Sequence, residues 1–109
     1  MKTDDLIAGL PGESLVRQGL ADVRSGRRTA PAYLVSIART RLRRAGLFRD
    51  DDALASQEPE LQLYRLLRGE GDDAYSRYNA LLRELISFEQ ALDHRMNAFT
   101  RIKKAAPQL

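Results

Sequence analysis

Between Gly71 and Pro107 the chain carries neither Gly nor Pro. Tyr78, Leu81, Leu82, Leu85, Phe88, Leu92, Met96, Phe99 and Ile102 recur through that stretch at spacings of three and four. That spacing places them on one side of a helix. A continuous helix from Asp72 or Asp73 spans on the order of 48 Å at 1.5 Å per residue, whereas a compact domain of this size has a radius of gyration of about 13 Å. Shorter helices must therefore line the long one end to end, or it must project and meet a partner.

The rest of the sequence supplies the shorter helices. Thr3, Asp4 and Asp5 cap a first short helix that Gly9, Pro11 and Gly12 stop. A second starts near Glu13 or Ser14 and ends at Gly26, with Leu15, Val16, Leu20 and Val23 along one side. Gly19 lowers its intrinsic helicity by about 1 kcal/mol relative to Ala, so tertiary contacts must hold it. A third is capped by Thr29, carries Pro31 in its first turn and closes at Gly46, burying Leu34, Ile37, Ala38, Leu42 and Ala45. Leu47 and Phe48 follow where apolar residues pack back on a closing turn. Asp50, Asp51 and Asp52 mark a loop, and a fourth helix is expected from Gln57 to Arg68, with Gly69 and Gly71 ending it.

Runs alternating polar and apolar residues are missing, which excludes half-buried strands. The expectation is an all-α fold, a helical bundle of four main helices with the long C-terminal helix as spine. It forms one domain over residues 1–109, with 1–12 and 104–109 open to fraying. The 109 residues are 43% hydrophobic, enough for one core. No apolar run approaches the roughly 20 residues a bilayer span needs, so membrane insertion is not expected. One Lys precedes an N-terminal apolar stretch too short for a secretory leader, so the expected location is cytoplasmic.

Composition narrows the chemistry. With no Cys and one His, disulfides, thiol catalysis and thiolate zinc sites are excluded, and neither metal nor cofactor is expected. Adjacent Asp50, Asp51 and Asp52 diverge on one loop and lack the alternating spacing of a calcium loop. Histidine phosphotransfer domains place Lys and Gly shortly after their His, but His94 is followed by Arg95, Met96, Asn97 and Ala98. HEPN ribonucleases use an Arg, a polar residue and a His at close spacing, while His94 follows Arg83 by eleven positions. Tyr75, Asn79, Arg83 and Glu84 gather polar groups without a nucleophile or a base set to titrate near neutrality. Tyr75 and Tyr78 are expected to bury their rings while their hydroxyls reach the edge of the core. No catalytic role is expected.

Two kinds of partner remain. Leu82 and Ile86 extend the apolar surface of the long helix sideways, beyond what short helices cover, and Met96 and Phe99 continue it. These four residues are the expected interface of a self-associating interaction module, a dimer or a contact with another protein. Glu89 interrupts the heptad through Leu82 and Leu85, which argues against a plain coiled coil. The alternative partner is a nucleic-acid backbone. Fifteen of the 18 basic residues are Arg, and the first 49 residues carry a balance of +6 against −3 for the remainder. Arg27, Arg28, Arg39, Arg43 and Arg44 would make phosphate contacts without reading sequence. Arg41 lies nearer the buried side of its helix than the others do.

Overall fold

The structure is a computed structural model and describes residues 6–48 and 58–105, with side chains through Ala98. The caps at Thr3 to Asp5, the acidic loop at Asp50 to Asp52 and the side chains of Phe99 and Ile102 lie outside the described residues. Within them are five helices and no strand: α1 Glu13–Arg24, α2 Ala30–Ile37, α3 Arg39–Arg44, α4 Pro59–Glu70 and α5 Ala74–Ala105. The fold is all-α.

Local chemistry sets most of the ends. Gly12 takes a left-handed conformation before α1, and the Glu13 carboxylate reaches back to accept the Gly9 N–H at 2.8 Å. Both α1 and α3 finish in Schellman turns, with Gly26 and Gly46 at positive φ. The Arg27 N–H donates to the Asp22 carbonyl and the Leu47 N–H to the Leu42 carbonyl, each at 2.8 Å. Leu47 and Phe48 then fold back into the core. At the start of α2 the Thr29 hydroxyl accepts the Ala32 N–H at 3.2 Å, with Pro31 in the first turn.

Three features depart from the sequence expectation. The segment from Thr29 to Gly46, expected to be one helix, breaks at Ala38, whose ψ of 12° leaves the helical well. Ser36 bonds back to the Ala32 carbonyl at 2.9 Å, a contact that bends helices. The Arg39 guanidinium donates to the Ser36 carbonyl at 3.2 Å and so serves the opened turn. Second, α4 runs through Gly69 to Glu70. A single Gly weakens a helix without terminating it, and the helix ends only at Gly71, where the backbone is extended.

Third, the centre of the molecule is α2, not the long helix. The short α2 packs most extensively, on α1 and on α4, while α5 lies mainly along α4. Gly19 makes the tightest approach: a Cβ there would stand 2.6 Å from Val35 Cγ1 and 2.8 Å from the Pro31 carbonyl carbon. The glycine that costs α1 intrinsic helicity is what lets α2 reach it. From α5 the core receives Ala74, Leu85, Phe88 and Leu92. The described part of the stretch expected to fray is docked: Ile7 and Leu10 are buried, and Arg95 of α5 donates to the Leu6 and Ala8 carbonyls at 3.0 and 2.8 Å. The chain extends over 60 × 28 × 20 Å with a radius of gyration of 15.5 Å, because α5 is longer than the body it packs on.

Candidate functional site

Where α4 turns into α5, side chains of both helices enclose a groove. Tyr64 of α4 meets Tyr78 of α5 edge to face, ring centres 5.7 Å apart, the arrangement that opposes a ring edge to a π face. Glu60, Leu61, Tyr64, Tyr75 and Tyr78 line an open apolar groove of about 400 Å³. A second cleft of about 390 Å³, lined by Tyr64, Arg68, Gly71, Asp72, Ala74 and Tyr75, adjoins it through the two shared tyrosines. Tyr75 does not bury its ring as expected; it is 69% exposed. Ala74 takes the core position at the start of α5, and the next residue lies about 100° round the helix, off the buried face. Leu61 stands 40% exposed on the other wall.

From Tyr78, one wall of this groove, an apolar row leads on along α5. Tyr78, Leu82 and Ile86 succeed one another at intervals of four, forming a ridge beside the buried face. Tyr78 and Leu82 are half-buried against the core, and Ile86 is 49% exposed. Of the four residues expected at an interface, Leu82 and Ile86 thus share this ridge. Met96 is half-buried and packs on the core further along, and the side chain of Phe99 lies outside the described residues.

Beyond Ile86 the same flank turns acidic. Glu89 and Asp93 both pair with Arg41 of α3, Glu89 Oε2 lying 3.5 Å from its Nε and Asp93 accepting from Nη1. The inward leaning of Arg41 is therefore the linkage of α3 to α5. Burial pushes the Glu89 carboxyl above its usual range; Arg41 pulls it down and Asp93 adds to the rise.

The arginines expected to contact phosphate fall into two groups. Arg27 and Arg28 are exposed after α1, and Arg43 and Arg44 are exposed in the last turn of α3. Arg24 of α1 donates to the Leu47 carbonyl at 3.3 Å, which brings the C-terminal ends of those helices together. Arg39 is partly buried and bound to the Ser36 carbonyl.

One polar centre escaped the sequence expectation. Asp22 is buried, accepting from Thr29 Oγ1 at 2.6 Å and Gln18 Nε2 at 2.9 Å, with Arg27 Nη1 3.9 Å away. The Thr29 hydroxyl bond, helped by Gln18 and Arg27, holds its carboxyl below the usual range against desolvation. The signal was present: Asp22 follows Leu15 by seven positions and shares its side of α1. With Gln18 on α1 and Arg27 and Thr29 in the junction of α1 and α2 as its partners, Asp22 is structural. His94 is exposed. Among the described residues no group of His, Asp or Glu is gathered to hold a metal ion, and no helix is long and apolar enough to cross a membrane.

Comparison with protein-family models, curated proteins and solved structures finds no match to this chain.

Proposed function

We propose that the chain is a small helical protein–protein interaction module, non-catalytic, that self-associates through the flank of α5. The observation that carries this is the continuous apolar surface formed by the ridge of Tyr78, Leu82 and Ile86 and the groove of Leu61, Tyr64 and Tyr75. Its most exposed members, Tyr75 and Ile86, belong to apolar residue types that water disfavours. Symmetric dimers are the commonest way for such a surface to be covered. Light scattering on the full chain at high micromolar concentration tests this: a mass near twice 12.3 kDa is expected, and a single 12.3 kDa species refutes self-association.

A second role, sequence-tolerant contact with a nucleic-acid backbone, is favoured by the meeting of the ends of α1 and α3, which sets Arg27 and Arg28 on one and Arg43 and Arg44 on the other. Phosphates would be neutralised there by exposed guanidinium groups. A mobility-shift assay with duplex, single-stranded DNA and RNA at low salt decides it, and no shift with any of them removes it.

A further inference from the structure

We propose that the groove between α4 and α5 binds an arginine side chain of a partner peptide, with the guanidinium held over tyrosine faces beside the Glu60 carboxylate. This goes beyond self-association, because it gives the groove a charge preference that apolar contact lacks. The chain has four tyrosines. Tyr33 is buried in α2, and the other three all line this groove. The face of an aromatic ring is the negative part of its quadrupole, and a cation set over it is attracted. Among the described residues no cation stands over Tyr64, Tyr75 or Tyr78. The edge-to-face contact of Tyr64 with Tyr78 engages one face of that pair, and Tyr75, exposed, offers its own to solvent.

Charge selects the occupant. Glu60 brings the only carboxylate to the groove and no Lys or Arg lines it; among the described residues that carboxylate has no ion pair. Glu60 stands one turn before Tyr64, so carboxylate and ring share a side of α4, and Tyr75 and Tyr78, three apart, share a side of α5. The N-terminus of α4 contributes about half a positive charge, but Glu58 and Glu60 bring two carboxylates to it, so the balance there is negative. In the adjoining cleft the charge of Arg68 is offset by that of Asp72, and Arg68 lies eight residues from Glu60, about 12 Å along α4. These features favour Arg over Lys. A guanidinium is flat enough to stack on a ring while its fork of N–H groups reaches a carboxylate, and it is more weakly hydrated than an ammonium. Its methylene stem has apolar surface to lie on at Leu61.

The test titrates the isotope-labelled full chain with short peptides of one sequence, free of aromatic residues and differing only at a central Arg, Lys, citrulline or Glu. Citrulline keeps the shape of Arg without its charge. Amide spectra are recorded below the concentration at which light scattering shows dimer, so that no second copy competes for the groove. The Arg peptide is expected to shift amides around Glu60 to Tyr64 and Tyr75 to Tyr78, and to bind about five-fold tighter than the citrulline peptide, with Lys between them and Glu weakest. Tyr75→Leu, which keeps apolar bulk and loses the ring, and Glu60→Gln are each expected to lower that preference about two-fold or more, and Tyr75→Phe to retain it. Tyr75 and Glu60 are exposed, so all three variants should keep the parent's circular dichroism. Equal binding of the Arg and citrulline peptides, no binding at millimolar peptide, shifts confined to another surface, or a preference unchanged in both Tyr75→Leu and Glu60→Gln overturns the proposal. If the same amides instead shift as protein concentration is raised, and the Arg peptide does not bind, a second copy is the occupant and the proposal is overturned while self-association stands.

Discussion

Three residues do more than their chemical type announces. Gly19 is a liability to α1 by propensity, where Ala would be favoured by about 1 kcal/mol. The structure reverses that sign, because the Cβ would press on the Pro31 backbone carbonyl, which cannot turn aside as a flexible side chain does. Gly19→Ala is expected to destabilise the fold by about 1 to 3 kcal/mol, the usual cost of overpacking, read as a lowered urea midpoint. Asp22 and Glu89 respond to pH in opposite senses. The Asp22 carboxyl is held below its unfolded value of about 3.9, so its contribution is present above that pH and is lost as pH falls through the folded value. The Glu89 carboxyl is held above its unfolded value of about 4.3. Between those two values the folded chain keeps a proton that the unfolded chain has released, so the Glu89 contribution is lost as pH rises through the folded value. Glu89→Gln, which stays neutral, should therefore gain stability relative to the parent chain as pH is raised from about 4, and then hold a constant difference. Urea unfolding of both chains over a pH series checks it; a difference that does not vary with pH would sink the assignment.

At the scale of elements, the two flanks of α5 should behave differently under truncation. Leu85 and Leu92 are buried. Replacing either with Ala should cost about 2 to 5 kcal/mol, through lost transfer energy and the cavity left behind. Ile86→Ala, by contrast, should change the stability of the isolated monomer by no more than about 0.5 kcal/mol, as for surface positions. Thermal or denaturant unfolding of dilute samples separates the two cases. This division was largely legible in the sequence, because periodicity alone distinguishes Leu85, Phe88 and Leu92 from Leu82 and Ile86. The caps were legible too: Thr29, Pro31 and the Gly46–Leu47 pair have local chemistry that fixes a helix end whatever surrounds it. The break at Ala38 was not, since it depends on Ser36 and Arg39 using backbone carbonyls and no breaker residue marks it. Nor was the exposure of Tyr75, which follows from Ala74, not Tyr75, taking the buried position at the start of α5. The central place of α2 was hidden for a related reason. Its eight residues carry a weak amphipathic pattern because α1 and α4 cover it from two sides, and a helix enclosed in that way has no polar face to reveal its orientation.

For the whole molecule, the charge asymmetry of the sequence is only partly an asymmetry of the fold. The basic first half and the acidic second half meet where Arg41 pairs with Glu89 and Asp93, so part of the charge is neutralised internally. Arg39 is drawn in as well, onto the Ser36 carbonyl. Of the arginines expected to contact phosphate, Arg27, Arg28, Arg43 and Arg44 remain at the surface. That sets an upper bound on polyanion binding. Each duplex phosphate neutralised contributes a slope of about −0.9 to the logarithm of affinity against the logarithm of salt, so four contacts give a slope no steeper than about −4. If duplex DNA binds this face, titrations by fluorescence anisotropy across a salt series should fall within that bound, and Arg43→Ala with Arg44→Ala should make the slope shallower by about 2. A markedly steeper slope, or one unchanged by the double substitution, would show that the polyanion is held by charges elsewhere on the chain.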